Sequence, residues 1–161
     1  MFQLFKKKPS NSELLAVADG KCIPMEEVND PAFSSKALGD GVAIVPTNNV
    51  IVAPCDGELS LVADTKHAFG MTNADGLEIM VHVGIDTVAL NGEGFKTFAE
   101  AGETVKKGQP IIEYNPEVMK EKGIDMTTML ILLNHDEFNL KELHHGKAVK
   151  KGEDVVVEYT K

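Results

Sequence analysis

Two histidines, His67 and His82, have the residue type and the spacing that fit chemistry near neutral pH. An imidazole changes charge near pH 7, and its neutral nitrogen can attack phosphorus or bind a metal ion. The segment between the two histidines contains the turn-forming residues Asn73, Asp75 and Gly76, which predict a hairpin. We therefore expect the two rings to meet on neighbouring antiparallel strands.

The return strand of the predicted hairpin, residues 77–83, alternates strictly between apolar residues and others. Successive side chains of a strand point to opposite faces, so one face of this strand is wholly apolar and is predicted to lie on a core. The other face has Glu78, Met80 and His82. His82 is therefore expected to point away from the core.

The register of the hairpin decides how the two rings meet. A two-residue loop at Ala74 and Asp75, or the same loop widened by one residue on each side, sets His67 directly opposite His82. Their Cβ atoms are then about 4.5–5.5 Å apart. A two-residue loop at Asp75 and Gly76 places the two histidines diagonally to each other on the same face of the hairpin. A three-residue loop sets His82 opposite Ala68. The sequence leaves these registers open, and the direct pairing of the two rings depends on which of them forms.

Composition limits the classes of protein and of partner. A chain of 161 residues with 43% hydrophobic and 25% charged residues fits one soluble globular domain. Its net charge of −9 disfavours a nucleic-acid partner and favours a basic protein partner. All 16 basic residues are lysine. Because the arginine fork that binds phosphate is missing, a phosphate site here would take part of its counter-charge from a partner.

Short apolar stretches separated by turn residues predict an all-β fold, an antiparallel β-sandwich or barrel. Two internal repeats predict pseudo-symmetric halves: AGETVKKGQPIIEY recurs as HGKAVKKGEDVVVEY, and VADGKCI recurs within VAPCDGELSLV. We expect a flexible N-terminal tail over residues 1–12 and a single domain over residues 13–161.

Cap residues and helix-ending glycines predict a few short helices among the strands. The predicted helices cover residues 32–38, 117–122 and 137–143. The apolar run at residues 126–133 predicts a buried strand.

Cys22 and Cys55 have no metal-binding or redox spacing, which predicts buried, reduced thiols in a cytoplasmic protein. No stretch approaches the length of a membrane span. The first eight residues, which begin with Met1 and end with Lys8, are apolar and then basic. They fit either a frayed tail or a peripheral contact with the inner face of a membrane.

Paired histidines without a clear third ligand fit two chemistries. One imidazole can carry a phosphoryl group while the second hydrogen-bonds to the phosphoryl oxygens. Alternatively, His67 and His82 can bind zinc together with an external carboxylate and water. The chain has no HExxH motif, so phosphoryl transfer without a required cofactor is favoured. His144 and His145 lie beside Gly146 in a lysine-rich loop and are expected to have no role.

Four motifs in order resemble the glucose-type IIA component of the bacterial phosphoenolpyruvate-dependent sugar phosphotransferase system. They are DGVAIVPTNNVIVAPCDGEL, TKHAF, GLEIMVHVGIDTVALNGEGF and AGETVKKGQPIIEY, and the resemblance extends from about Leu14 to the end. It implies a β-sandwich whose His82 takes a phosphoryl group from the carrier protein HPr. The group then passes to the cysteine of a IIB domain of a membrane sugar permease.

The same resemblance implies roles for further residues. His67 would stabilise the phosphorylated state, Thr65 would orient His67, and the backbone carbonyl of Gly84 would hold the ring of His82. Family members often carry phenylalanine where this chain has Ala63 and Met80. The implied docking surface for protein partners consists of Asp30, Phe33, Met80, Asp86 and Val88.

Two other functions remain open at the level of sequence. One is a zinc-dependent hydrolase on a related β-sandwich, which stoichiometric zinc and peptide cleavage would indicate. The other is a regulatory binding module, in which phosphorylation changes the charge of a docking surface and so controls which protein targets bind.

Overall fold

The computed structural model describes residues 12–161 of the chain. The predicted tail over residues 1–12, apart from its last residue, and the predicted membrane contact of the first eight residues lie outside this range. Within the range, no helix is both long enough and apolar enough to cross a membrane.

Short strands are the predominant regular structure of residues 12–161, as the turn-rich sequence predicts. The strands are β1 (Glu13–Leu15), β2 (Gly20–Pro24), β3 (Asp40–Pro46), β4 (Val50–Val52), β5 (Gly57–Val62), β6 (Ala68–Thr72), β7 (Glu78–Val83), β8 (Phe95–Thr97), β9 (Thr104–Val105), β10 (Pro110–Tyr114), β11 (Thr128–Leu132), β12 (Asn139–Leu143), β13 (Lys147–Val149) and β14 (Val155–Thr160). The α-helices are α1 (Pro31–Ser34) and α2 (Pro116–Glu121), and single 3-10 turns cover Met25–Glu27, Thr87–Leu90 and His135–Glu137.

These strands form one large sheet and two small ones. The large sheet has the order β9-β5-β6-β7-β11-β3-β2-β13, and the small sheets have the orders β4-β10-β8 and β12-β14-β1. Every pairing is antiparallel. The predicted all-β antiparallel class with a few short helices is confirmed.

The two faces of the large sheet pack against different apolar clusters. Val81 and Leu130 lie in the main core together with residues from the two small sheets. Met129 and Ile131, which alternate with Leu130 along β11, lie in a smaller cluster that Phe33 helps to cover. The predicted buried strand β11 is therefore apolar on both faces, whereas β7 has its fully buried apolar residues on the main-core side and only half-buried Met80 on the other.

The internal repeats form matching turns. In one repeat the backbone N–H of Lys107 donates to the Asp56 carboxylate at 2.8 Å, and in the other the N–H of Lys151 donates to the Asp19 carboxylate at 2.9 Å. In each case the acidic residue directly precedes the glycine that begins a strand. Equivalent hydrogen bonds in equivalent loops are what the predicted pseudo-symmetric halves require.

The two helices that begin at proline form where they are expected, but the first is shorter. Asp30 caps α1 by accepting a hydrogen bond from Ala32 N at 2.9 Å. The predicted helix over residues 32–38 ends early because Lys36 adopts the left-handed conformation (φ 62°) and its ammonium pairs with Glu26 at 3.0 Å. The helix predicted over residues 117–122 matches α2, and the Asn115 side chain caps it.

The helix predicted over residues 137–143 is wrong, because most of this segment is strand β12. Cys22 and Cys55 are free and buried, as predicted. Burial raises the pKa of the Cys22 thiol to about 11 and that of Cys55 to about 12, so both thiols stay protonated and unreactive at neutral pH.

Candidate functional site

The β6–β7 hairpin turns through a three-residue loop. Asn73 N donates to Leu77 O at 3.2 Å, and the ladder beyond it sets Ala68 opposite His82. Of the registers that the sequence leaves open, the one with His67 directly opposite His82 does not form, and the observed register differs from it by one residue. The chain adopts the three-residue loop, which is the last of the loops considered above.

The Asn73 side chain determines this loop. Its Oδ1 accepts hydrogen bonds from Asp75 N at 3.0 Å and from Leu77 N at 3.1 Å. Its Nδ2 donates to the hydroxyl of Tyr159 at 2.8 Å, which links the loop to the last strand of the chain. These three bonds satisfy both ends of a nearly buried amide, which selects the three-residue loop over tighter turns.

The two imidazoles meet despite the changed register. His67 lies immediately before β6, after Lys66 in the left-handed conformation (φ 62°), so it does not follow the side-chain alternation of the strand. Its carbonyl accepts from Val83 N at 2.7 Å, which holds it beside the end of β7. The ring centroids of His67 and His82 are 4.8 Å apart, with an interplanar angle of 78°. The prediction that the rings converge is confirmed.

Each ring is held through its Nδ1 atom. Nδ1 of His82 lies 2.9 Å from the carbonyl oxygen of Gly84. Because a carbonyl can only accept, Nδ1 of His82 carries the proton and Nε2 carries the lone pair. Nδ1 of His67 lies 2.7 Å from Oγ1 of Thr65. Among residues 12–161, Nε2 of neither ring has a hydrogen-bond partner, so both are available for a ligand.

The Gly84 turn depends on a residue that sequence reasoning missed, Thr87. Its buried hydroxyl donates to Val83 O at 2.6 Å, and the N–H of Gly84 donates to Thr127 O at 3.1 Å. Gly84 has a φ of +81°, and a Cβ there would be 2.6 Å from Cγ2 of Thr87. Thr87 thus helps to fix the Val83–Gly84 peptide, which directly precedes the Gly84 carbonyl that faces His82. A threonine shortly after an apolar strand was the available signal.

Burial determines the electrostatics of the pair. Burial is the largest cause that lowers the pKa of His82 to about 4, and the neighbouring His67 is the second cause. The bond to Gly84 and the carboxylates of Asp30 and Asp86 act in the opposite direction, but they do not compensate for the burial. Burial also lowers the pKa of His67. At neutral pH His82 is therefore an uncharged ring with a free lone pair on Nε2.

Two apolar residues of the expected docking surface lie against or beside this ring. The Phe33 ring centroid is 4.9 Å from that of His82, with the planes tilted by 55°. Phe33 is buried, and half-buried Met80 packs against the same small cluster. The side chains therefore form an apolar wall beside His82, and Phe33 belongs to a local core as well.

The other three expected docking residues differ in exposure. Asp30 is half-buried and caps α1, yet its carboxylate is near enough to affect the pKa of His82. Asp86 is exposed and acts on the same ring. Val88 is 55% exposed on the 3-10 turn that follows. The rim of the site is thus apolar and acidic.

The histidine pair lacks the ligands of a metal centre. Within residues 12–161, one group of three His, Cys, Asp or Glu residues can converge on an ion, and it includes neither His67 nor His82. Zinc at the pair would need a carboxylate from another molecule. The geometry instead fits nucleophilic chemistry by one imidazole with help from the other.

An uncharged imidazole with an available Nε2, a second imidazole beside it and an apolar and acidic rim define the class of histidine phosphocarriers. The sequence profile described as "phosphoenolpyruvate-dependent sugar phosphotransferase system, EIIA 1" matches residues 12–138. The chain belongs to this family.

Curated relatives and a solved structure are similar over nearly the whole chain. The glucose-specific EIIA component of Haemophilus influenzae is 40% identical over 162 residues, which cover 99% of this chain and 97% of the relative. That of Borreliella burgdorferi is 39% identical over 156 residues, which cover 97% of this chain and 82% of the relative. The glucose permease IIA of Mycoplasma capricolum has a TM-score of 0.84 at 36% identity, covering 90% of this chain and 93% of that chain.

These similarities confirm the function expected from the sequence. The chain is a histidine phosphocarrier of the sugar phosphotransferase system, which accepts a phosphoryl group from HPr and passes it to the IIB component of a sugar permease.

Proposed function

We propose that His82 is the residue that carries the phosphoryl group and that its Nε2 is the attacking atom. The observation that supports this most is the 2.9 Å bond from Nδ1 of His82 to the Gly84 carbonyl, which leaves Nε2 as the only free nucleophile of the ring. As Nε2 binds phosphorus, the bond between phosphorus and its carrier atom on HPr breaks. Nδ1 keeps its proton, and the Gly84 carbonyl stabilises the positive charge that develops on the ring.

His67 is proposed to stabilise the phosphoryl group. When the Thr65 hydroxyl donates to Nδ1 of His67, at 2.7 Å, the proton of the neutral ring lies on Nε2. That N–H can donate to a phosphoryl oxygen on His82, whose ring centroid is 4.8 Å away. Thr65 thereby selects the tautomer of His67 that is useful during transfer.

The residues Asp30, Phe33, Met80, Asp86 and Val88 are proposed as the docking surface. The apolar members can bury area against HPr or a IIB domain, while the two carboxylates favour basic groups on the partner. The charged groups that act on His82 are His67, Asp30 and Asp86. Since both carboxylates repel a phosphoryl group, cations of the partner are expected to offset this repulsion during transfer.

The onward acceptor is proposed to be the cysteine of a IIB domain, and the sugar to be glucose, because the curated relatives are called glucose-specific. Phosphorylation adds about two negative charges at pH 7 beside Asp30 and Asp86, which would also alter the docking of a regulatory target. The reaction needs no cofactor in this scheme.

Incubation with phosphorylated HPr tests the assignment of His82. The protein should gain one acid-labile, alkali-stable phosphate, and ¹⁵N NMR should place it on Nε2 of His82. His82→Gln should gain none, while His135→Gln, a change outside the site, should load normally. A labelled His82→Gln variant would show that the acceptor is another residue.

The role of His67 is tested by the discharge step. His67→Gln should still load from HPr, but its transfer to a IIB domain should slow by roughly 100-fold, the typical cost of removing one donor to a developing charge. Unchanged discharge would remove His67 from the mechanism.

A further inference from the structure

A second histidine cluster lies on a different sheet from the phosphoryl-transfer site. It consists of Glu142 on β12, His144 directly after β12 and Glu158 on β14. Nε2 of His144 is 2.5 Å from a carboxylate oxygen of Glu158, and Nδ1 is 3.6 Å from one of Glu142. One ligand atom from each of the three residues lies within 4.8 Å of the others.

The register of β12 creates this cluster. Leu140 pairs with Tyr159, but the next pair is Glu142 with Glu158, so Lys141 is an extra residue at a β-bulge. Without the bulge, Lys141 would oppose Glu158 and give a favourable ion pair. The bulge instead sets two carboxylates directly opposite each other. Bulges commonly re-aim side chains next to functional sites.

The packing of two leucines maintains the bulge. Leu140 and Leu143 are three positions apart, yet both are half-buried and pack against the main core. In a regular strand, residues three apart point to opposite faces, so one extra residue is needed to keep both inside. His144 N donates to Val156 O at 2.8 Å, which continues the pairing beyond β12. Glu142 and His144 are therefore held outward on one side.

We propose that Glu142, His144 and Glu158 bind a divalent transition-metal ion, with Zn²⁺ as the best match. One imidazole nitrogen and two carboxylate oxygens are a donor set that Zn²⁺ accepts, and a water molecule completes a tetrahedral site. Tetrahedral ligands about 2.1 Å from zinc are about 3.4 Å apart, so small side-chain rotations bring the three atoms into place. The ion also removes the repulsion between the opposed carboxylates.

The exposed side of the cluster gives an ion access to the three ligands. The Glu142 side chain is 62% exposed, so the ion can enter from solvent. Either nitrogen of His144 can bind the ion, because each already faces a carboxylate. The bound ion would link β12 to β14, two strands of one small sheet, and binding to the folded state alone would stabilise the protein.

Titration with ZnCl₂, followed by calorimetry and by thermal unfolding, tests the site on the full chain. His82→Gln is included so that zinc at the phosphoryl-transfer pair is counted separately, and His145→Gln is the matched control beside the cluster. We expect His82→Gln and His145→Gln to bind zinc with the same affinity at one site. His144→Gln and Glu158→Gln should bind there at least roughly tenfold more weakly and should lose the zinc-dependent rise in Tm.

Two results would overturn the proposal. Zinc binding that is lost in His82→Gln and kept in His144→Gln would assign the ion to the phosphoryl-transfer pair. The absence of any binding to His82→Gln at millimolar ZnCl₂ would show that the cluster holds no metal. Thermal unfolding in EDTA, which should give similar Tm values for all variants, shows that a lost signal does not come from misfolding.

Discussion

The chain places histidines in two opposite settings. His82 is half-buried, its Nδ1 faces a backbone carbonyl, and its pKa is lowered to about 4. His144 lies at the end of a strand, and both of its ring nitrogens face carboxylates. Neutral dipoles and burial keep a ring uncharged and nucleophilic, whereas neighbouring carboxylates provide further ligands for a metal ion. The neighbours, more than the imidazole itself, determine the chemistry of each site.

The largest effect is expected when a carboxylate, like those beside His144, is introduced next to His82. Met80→Glu reproduces the spacing of Glu142 and His144, because Met80 lies two residues before His82 on the same face of β7. The new carboxylate should raise the pKa of His82 and repel the phosphoryl oxygens, and phosphorylation by HPr should slow roughly 100-fold, about 2.7 kcal/mol. Rapid-quench measurement of the loading rate checks this.

Met80→Gln is the matched control, since it has the same shape without the charge. It should load within a few-fold of the unmodified protein. Equal rates for Met80→Glu and Met80→Gln would contradict the view that His82 is reactive because no carboxylate faces its ring nitrogens directly.

The pH dependence of stability is the next largest effect, and His82 contributes to it through its lowered pKa. Its pKa is about 4 in the folded protein and about 6.5 in the unfolded chain, so the unfolded chain binds more protons between these values. The contribution of His82 to the free energy of unfolding is fully present above about pH 6.5 and is lost as the pH falls toward about 4. From pH 7 to pH 5 this contribution amounts to about 2 kcal/mol.

Urea unfolding at pH 7 and pH 5 measures this difference. His82→Gln should lose about 2 kcal/mol less than the unmodified protein over this range, whereas His145→Gln should behave like the unmodified protein. Equal pH dependence for the two variants would mean that His82 titrates near its ordinary pKa.

The converging histidines could be predicted from sequence because the signals are local. Strict alternation along residues 77–83 and the turn residues before it place His82 on the outer face of a hairpin. The register could not be predicted, because Asn73 is held by the hydroxyl of Tyr159, a residue 86 positions away. Thr87 was missed for a related reason, since its buried bond to Val83 depends on a tight turn and not on a repeating pattern.

The second histidine cluster shows where such reasoning fails. The helix predicted over residues 137–143 is wrong, although Leu140 and Leu143 have the three-residue spacing of one helix face. Pairing with β14 makes the segment a strand, and the bulge at Lys141 reconciles the spacing with the core. His144 therefore has its carboxylate partner on β14, and no local motif links them.

Thr87→Val should have a smaller effect. It tests whether the Thr87 hydroxyl supports the turn that presents the Gly84 carbonyl to His82. Valine keeps the shape but removes the donor to Val83 O, so the free energy of unfolding should fall by about 1 kcal/mol. The Gly84 peptide should then hold Nδ1 of His82 less firmly, and ¹⁵N NMR should show more of the other imidazole tautomer. Thr87→Ser keeps the hydroxyl and should restore the tautomer. A Val variant with an unchanged tautomer would limit Thr87 to a structural role.

Glu142→Gln should have the smallest effect on stability. The sign of this effect distinguishes a metal site at His144 from a simple surface ion pair. In EDTA the change removes repulsion between two opposed carboxylates, and stability should rise by a few tenths of a kcal/mol. With saturating ZnCl₂ the same change removes a ligand, and stability should fall relative to the unmodified protein. Thermal unfolding in the two buffers measures both signs. A change of equal sign in both buffers would mean that Glu142 acts on His144 without a shared metal ion.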